Sequence, residues 1–178
     1  MAGVRRVVVG TDPEGRSVVM RDGPAPRSHD FAAIPGMSTA LIWSAATGSS
    51  WLPSDGDPTT AADPDEPAPG GLSFLMVRFP PDSVLAGPGF DAVAAAGEQQ
   101  RVSPRLHARF GADVGGMHTT PTTDYVTVVE GEIHVELDDG VLVPLRAGDT
   151  LVHTGSRHGW RNLSDRDAMI TVVMVSHA

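Results

Sequence analysis

The chain has 178 residues and a mass of 18.6 kDa, a size typical of one domain with a single hydrophobic core. Its formal net charge of -9 and pI of about 5.0 argue against binding to nucleic acid or to an anionic membrane surface. The absence of cysteine excludes disulfide bonds and thiolate metal ligands, so any metal ion must bind histidine, carboxylate or water.

The same composition predicts the cellular context. A cysteine-free chain fits a reducing cytoplasm, and the apolar run in the first ten residues is too short for a signal sequence. No apolar segment approaches the roughly 20 residues that a membrane-spanning helix needs. All of the basic residues are arginine, which together with abundant alanine, glycine and proline indicates a GC-rich bacterial genome. We therefore expect a bacterial, cytoplasmic protein.

The first 48 residues predict an N-terminal extension of three strands. Two β-rich runs, Val4–Val9 and Ser17–Arg21, flank the turn-forming sequence TDPEG and predict a hairpin. A loose, proline-rich segment follows, and Ser38–Ala45 is the next predicted strand. The apolar hairpin lies outside the motif-bearing part of the chain, so its exposed edges predict a homodimer.

Residues 49–71 predict a loop, because Pro, Asp, Gly, Ser and Thr dominate them. Its acidic residues do not have the spacing of a calcium-binding loop, and prolines interrupt them; they are Asp55, Asp57, Asp63, Asp65 and Glu66. We expect a solvated connection, and we expect residues 55–70 to be dispensable for folding.

Residues 72–178 predict an all-β core. Leu72–Phe79 is an apolar strand closed by two prolines, and Phe90–Gly97 predicts one short helix. Glu98–Gly115 predicts a surface insertion, with a lid over a ligand site as the alternative. Further strands and turns follow from residue 125 onward, at Tyr125–Val129, Ile133–Leu137, Val141–Leu145, Thr150–His153, Arg157–Arg161 and Ala168–Ser176.

Two short motifs lie near the two ends of residues 116–162, a stretch that holds four of the seven histidines. The first motif is His118-x-Thr120-x3-Asp124-x6-Gly131, and the second is Gly148-Asp149-x3-His153-x-Gly155-x2-His158-x3-Asn162. Residues two apart on a strand share a face, so imidazoles and a carboxylate from neighbouring strands can converge. This pattern predicts either a divalent metal site or a set of polar residues on a β surface.

The motifs resemble those of the cupins, a family of double-stranded β-helix (jelly-roll) barrels. The first cupin motif is matched at His118, Asp124 and Gly131, and the second at Gly148, Gly155, His158 and Asn162. The chain departs from the pattern at several positions. Ala112 stands where the leading glycine belongs, with Gly111 next to it, Thr120 replaces a histidine, Asp124 replaces a glutamate, and the second motif lacks its proline. The resemblance implies one cupin domain over residues 1–178, with its barrel core at 72–178.

The resemblance implies a metal site at His118, Asp124 and His158. Two imidazoles and one carboxylate leave coordination positions open for substrate, water or dioxygen, and Fe, Zn, Mn or Ni are the candidate ions. A neutral Thr120 hydroxyl is a poor ligand, and an aspartate is shorter than a glutamate, so a metal-free polar pocket is the alternative. No organic cofactor is indicated.

Other residues near the motifs are candidates for acid–base chemistry and for substrate binding. His153, His158 and Asp124 are the candidate catalytic residues, and His153 qualifies as a general base only if it points inward. Thr120, Trp160 and Tyr125 are the candidate substrate-binding residues, although either aromatic residue can instead be structural. His134 alternates with Ile133 and Val135, which predicts that it lies on the outer surface.

Three functions fit these features. The first is a metal-dependent enzyme of oxygenase, isomerase, cyclase or decarboxylase type, acting on a small organic or aromatic metabolite. The second is a metal-independent dehydratase, isomerase or cyclase that uses histidine acid–base chemistry. The third is a non-catalytic ligand-binding barrel. For the first function, a bacterial source suggests secondary metabolism.

Overall fold

The computed structural model describes residues 3–48, 56–61, 66–110 and 116–177. Eleven strands lie within these ranges. They are β1 (Arg5–Thr11), β2 (Ser17–Pro24), β3 (Arg27–Asp30), β4 (Ser38–Ala45), β5 (Leu72–Phe79), β6 (Thr122–Glu130), β7 (Glu132–Glu136), β8 (Leu142–Arg146), β9 (Thr150–His153), β10 (Gly159–Arg161) and β11 (Ala168–Ser176). Four α-helices also lie there, at α1 (Pro58–Ala61), α2 (Asp82–Leu85), α3 (Ala92–Val102) and α4 (Pro104–His107).

The strands form three antiparallel sheets. The largest has the order β3-β4-β5-β11-β6-β9, the second has the order β10-β7-β8, and β1 pairs with β2 alone. The six-stranded and three-stranded sheets face each other and share one apolar core, as in a jelly roll. The core comes from β6, β7, β8 and β11, and its buried members are Val126, Val128, Ile133, Val135, Leu145, Ala168 and Ile170. The fold is therefore the predicted all-β, double-stranded β-helix, with an N-terminal hairpin.

Two motif residues have structural roles at the end of this core. Gly131 has φ of 76°, and an added Cβ would lie 2.6 Å from the carbonyl oxygen of Asp167, so only glycine allows the turn from β6 to β7. The buried Asn162 amide donates to the carbonyl oxygens of Phe79 and Arg166, at 3.1 and 2.7 Å. Asn162 thereby connects the β10–β11 turn to the end of β5.

The helical content differs from the prediction of one short helix. The predicted helix Phe90–Gly97 begins at Ala92 instead and continues to Val102, and α4 follows at once. The Asp91 carboxylate caps α3 by accepting from the backbone N–H groups of Val93 and Ala94, both at 3.0 Å. The helix continues past Gly97, because the next residue, Glu98, forms hydrogen bonds with residues that are distant in the sequence and thereby holds this part of α3 in place.

Glu98 connects α3 to the segment after β3. Its buried carboxylate accepts from the backbone N–H groups of Ala32 and Ala33, at 3.0 and 2.7 Å, and pairs with His29 Nε2 at 2.9 Å. These bonds, of which the one from Ala33 is the strongest, lower the pKa of Glu98 to about 2. The side chains of Phe31, Ile34 and Ala95 pack beside them.

We expect Glu98→Gln to destabilise the protein in a pH-dependent way. The folded-state pKa of about 2 lies below the usual 4.5, so the carboxylate stabilises the fold fully above pH 4.5 and progressively less as the pH falls toward 2. Urea unfolding at pH 7 should show a loss of about 1–3 kcal/mol in the variant. The difference between variant and parent should shrink between pH 4.5 and pH 3; a constant difference would contradict the prediction.

The segment predicted as a solvated loop packs against the rest of the protein where the structure describes it. Thr59 in α1 is fully buried, and Asp57 pairs with the buried Arg6 of β1. Glu66 is also buried, and its carboxylate accepts two hydrogen bonds from Arg109, at 2.9 and 2.6 Å. The expectation that this segment is dispensable therefore conflicts with its contacts. Asp55, Asp63 and Asp65 lie outside the described residues.

Candidate functional site

The inner face of the six-stranded sheet changes from apolar to polar along its length. Val126 and Val128 of β6 contribute to the core, whereas Thr122 and Asp124, earlier on the same strand and the same face, are buried polar residues. Asp124 lies opposite His153 of β9 in the strand register. The sequence left the orientation of His153 open, and the structure buries it on the inner face, where the residue is 5% exposed.

His118 and His158 complete the cluster from the opposite side. Each donates its backbone N–H to the carbonyl oxygen of the other, in an isolated bridge with N–O distances of 2.8 and 2.9 Å. Their rings lie 4.4 Å apart between centroids, and the rings of His153 and His158 lie 3.8 Å apart. Three imidazoles and one carboxylate thus gather at one end of the sandwich.

Three of these four residues have ligand atoms close enough to share one ion. One nitrogen or oxygen from each of Asp124, His153 and His158 lies within 4.8 Å of the others, and all three residues are buried. This set differs from the predicted His118, Asp124 and His158, because His153 joins it and His118 lies beside it. The strand register explains the difference, since β9 brings His153 directly opposite Asp124.

Backbone carbonyl groups fix the tautomers of two histidines. A carbonyl oxygen can only accept, so His118 Nδ1 donates to Gly116 at 2.9 Å and His158 Nδ1 donates to Ser156 at 3.2 Å. The Nε2 atoms of both rings consequently carry lone pairs. His153 Nε2 lies 3.1 Å from the Ser156 hydroxyl group, and donation to that oxygen leaves a lone pair on His153 Nδ1.

Burial changes the charges of the cluster. It lowers the pKa of His158 to about 3, with smaller contributions from His118 and His153, and it also lowers the pKa of His118. Burial raises the pKa of Asp124, an effect opposed by the Thr122 hydroxyl and by His153 and His177. The two histidines are therefore neutral at pH 7, so they place no positive charge beside the carboxylate and their Nε2 lone pairs are open to an ion.

Two atoms of the cluster have no hydrogen-bond partner within the described ranges. They are Asp124 Oδ1 and His153 Nδ1, both fully buried. A buried acceptor without a partner costs roughly 1–3 kcal/mol, and more when it is charged. A divalent cation would satisfy both atoms at once, and neutral imidazole with carboxylate is a donor set that such ions accept. The residues of this site therefore fit a metal ion.

The predicted substrate-binding residues occupy different positions. Thr120 is buried and accepts a hydrogen bond of 2.8 Å from the Thr122 hydroxyl group, next to Asp124. Trp160 packs against the core and meets the His158 ring edge-on at 6.0 Å. Tyr125 lies on the opposite face of β6 from Asp124 and is about half exposed, because successive residues of a strand alternate between faces.

Two other residues near the site, Ser156 and Phe110, carry no clear signal in the sequence. Ser156 contacts both His153 and His158, through its hydroxyl group and its carbonyl oxygen. Phe110, after α4, meets the His118 ring at 5.0 Å, and the Glu66–Arg109 pair anchors the segment that carries it.

Gly111 and Ala112, the leading positions of the first motif, lie outside the described residues. His134, predicted on the outer surface, is half buried, and its Nδ1 is buried without a partner among the described residues.

We expect Ser156→Ala to weaken metal binding without unfolding the protein. Ser156 orients His153 through its hydroxyl group, and the loss of such a hydrogen bond typically costs 10–100-fold in metal affinity. Competition between the protein and a chromogenic chelator for Zn²⁺ would measure this change. Ser83→Ala, at an exposed serine of α2, is the matched control and should leave the affinity unchanged. If Ser156→Ala and the parent bind Zn²⁺ with equal affinity, Ser156 does not contribute to metal binding.

Comparison with known proteins agrees with this architecture. Residues 107–174 match the family model described as "Cupin domain". The chain is 46% identical over 48 residues to phomopsin biosynthesis cluster protein C' of Diaporthe leptostromiformis, and 40% identical over 47 residues to oryzines biosynthesis cluster protein J of Aspergillus oryzae. These matches cover 27% and 26% of this chain, and 25% and 26% of the two relatives.

Solved structures also resemble the chain at low sequence identity. One is the cupin domain of an XRE family transcriptional regulator from Enterobacter cloacae, at 12% identity and a TM-score of 0.39, over 80% of this chain and 97% of that one. Another is a sugar phosphate isomerase of the cupin superfamily from Silicibacter pomeroyi, at 17% identity and a TM-score of 0.40, over 81% and 62%. None of the helices in the described ranges is both long and apolar enough to cross a membrane.

Proposed function

We propose that this chain, a cupin over residues 107–174, is a metal-dependent enzyme that acts on a small organic metabolite at the end of its β-sandwich. The observation that carries the proposal is the buried set of Asp124, His153 and His158, whose ligand atoms lie within 4.8 Å of one another. Two of these residues present a buried atom with no other partner among the described residues. The names of the biosynthesis cluster relatives support a role in secondary metabolism.

Asp124, His153 and His158 would hold the ion, and a divalent ion there would act as a Lewis acid toward a carbonyl or enolate oxygen of the substrate. His118 supplies the adjacent acid–base group. Its Nε2 carries a lone pair, its lowered pKa keeps it unprotonated at neutral pH, and it is only half buried. These properties suit a general base that takes a proton from a bound substrate.

The walls of the site restrict what can bind there. Trp160 backs His158 from the core side, and Phe110 stands beside His118. These rings favour a substrate with a flat or apolar part next to its reacting group. Thr120 is buried and hydrogen-bonded to Thr122, which suits a polar wall of the site better than a ligand of the ion.

The metal content of protein produced without a histidine tag tests this proposal. Elemental analysis should find about one transition-metal ion per chain, or the apo-protein should take up one equivalent of Zn²⁺, Mn²⁺, Fe²⁺ or Ni²⁺. The loaded protein should then consume a component of a small-molecule extract, while the Asp124→Asn variant should not. A protein that neither contains nor binds an ion would contradict the proposal.

The second candidate is a metal-free enzyme that uses the same residues as acids and bases. The close packing of three imidazoles beside a carboxylate with a raised pKa favours it, because perturbed pKa values cluster at sites where side chains exchange protons with a substrate. Turnover that persists after complete removal of metal would support this candidate over the first.

A further inference from the structure

A cavity lies away from the histidine cluster, on the other face of the six-stranded sheet. It has a volume of about 340 Å³ and is lined by Asp30, Phe31, Met37, Ser38, Arg78 and Asp167. Arg78 follows Val77 on β5, and Val77 packs into the core, so Arg78 projects from the opposite face. The cavity therefore does not share the inner face that carries Asp124 and His153.

Ser38 gives this cavity a polar group that nothing else in the described chain satisfies. The residue is 3% exposed, and its hydroxyl group has no hydrogen-bond partner among the described residues. A buried hydroxyl without a partner costs roughly 1–3 kcal/mol, and most such groups in proteins are satisfied. Because Ser38 lines the cavity, its hydroxyl group is the candidate hydrogen-bond partner for a molecule bound there.

Three polar residues of the wall are arranged in a row across three strands. Asp30, Ser38 and Arg78 are register neighbours on β3, β4 and β5. Arg78 contacts Asp167 and Glu130, each at 3.4 Å, near the upper limit for a hydrogen bond. By comparison, the Arg109 pair with Glu66 is 2.6 Å long. The Arg78 guanidinium group therefore keeps donor capacity for a further carboxylate.

We propose that this cavity binds a small zwitterion of the amino-acid class. The ligand carboxylate pairs with Arg78, whose planar donors match a carboxylate. The ligand ammonium group lies between the carboxylates of Asp30 and Asp167 and donates to the Ser38 hydroxyl group. The ligand side chain packs on Phe31 and Met37, the apolar part of the wall. This arrangement uses both signs of charge in the wall, and it does not depend on the proposed metal site.

Calorimetric titration with L-leucine and two of its fragments tests the ligand class. Isocaproate lacks the amino group and isoamylamine lacks the carboxylate, while both keep the apolar chain. L-Leucine should bind saturably with one site per chain, and each fragment should bind at least about tenfold more weakly, because each loses one charge-assisted interaction. Absence of saturable leucine binding would overturn the proposal, as would equal binding of either fragment.

Variants and NMR locate the binding. Arg78→Gln should weaken leucine binding by about tenfold or more, and Ser38→Ala by about fivefold. Arg146→Gln, at an exposed arginine that pairs with Glu132, is the matched control and should bind as the parent does. Leucine should shift the amide resonances of Ser38 and of Gly36, which also lines the cavity. His158→Ala should leave the affinity unchanged. If the shifts map to the histidine cluster, or if Ser38→Ala, which removes a single hydroxyl group, binds as the parent does, the assignment of this cavity is wrong.

Discussion

Replacing His158 with alanine is expected to abolish the rise in melting temperature that a divalent ion gives to the parent protein. An ion at a hundred times its Kd adds about 2.7 kcal/mol to stability, which corresponds to about 5–10 °C for a chain of this size. In His158→Ala, only Asp124 and His153 remain in the close set, and two ligands hold an ion poorly. Differential scanning calorimetry with chelator, and after return of Zn²⁺, measures the response.

His134→Ala is the matched control for this experiment. His134 also has a buried Nδ1 without a partner among the described residues, but it lies on β7 between Ile133 and Val135, which face the core. Its loss removes a half-buried imidazole that is not part of the set of Asp124, His153 and His158. We expect it to keep the full metal response. If the rise in melting temperature with metal survives in His158→Ala, or is absent from the parent itself, the metal reading of these residues is wrong and the metal-free alternative is supported.

Asp57→Asn is expected to lower the stability of the protein by about 3 kcal/mol, or about 6–12 °C in melting temperature. The Arg6 side chain is 6% exposed, and the Asp57 carboxylate beside it is 13% exposed. This pairing lowers the pKa of Asp57 to about 2, with the Arg6 hydrogen bond as the largest cause. Asparagine keeps the shape of the side chain, so the variant isolates the loss of charge next to a buried guanidinium group.

Asp22→Asn provides the comparison on the same hairpin. Asp22 pairs with Arg5, the neighbour of Arg6, but the two side chains are 48% and 71% exposed. Exposed pairs contribute little because solvent screens them, so chemical unfolding should show a much smaller loss of stability for Asp22→Asn than for Asp57→Asn. Equal effects of Asp57→Asn and Asp22→Asn would show that the Arg6–Asp57 pair does not hold the segment before α1 against the hairpin.

The sequence predicts the strands best where apolar residues are dense. The predicted bounds of Ser38–Ala45, Leu72–Phe79 and Ala168–Ser176 agree with β4, β5 and β11. The sequence does not predict β3, because the residues of this strand, RSHD, include no apolar residue and follow a proline. The short strand forms because β4 supplies its hydrogen-bond partners, and this tertiary contact is invisible in the local sequence.

The same limit applies to polar residues. Asp57 and Glu66 read as solvated because their neighbours are Pro, Asp and Ala, yet their partners are Arg6 and Arg109, 51 and 43 positions away. At the candidate site, motif spacing selects Asp124 and His158 but leaves the side-chain direction of His153 open. The pairing of β6 with β9 determines that direction, and pairing between distant strands cannot be read from spacing alone.

The change from apolar to polar along the inner face of β6 has a consequence for how this protein can evolve. Val126 and Val128 lie in the half of the sandwich that carries the core, while Thr122 and Asp124 lie in the other half. Substitutions in the polar half can alter ligands and substrates without removing core volume. Such a division allows new chemistry to arise at little cost in folding, and it accounts for a chain that replaces two motif residues, at Thr120 and Asp124, and keeps its fold.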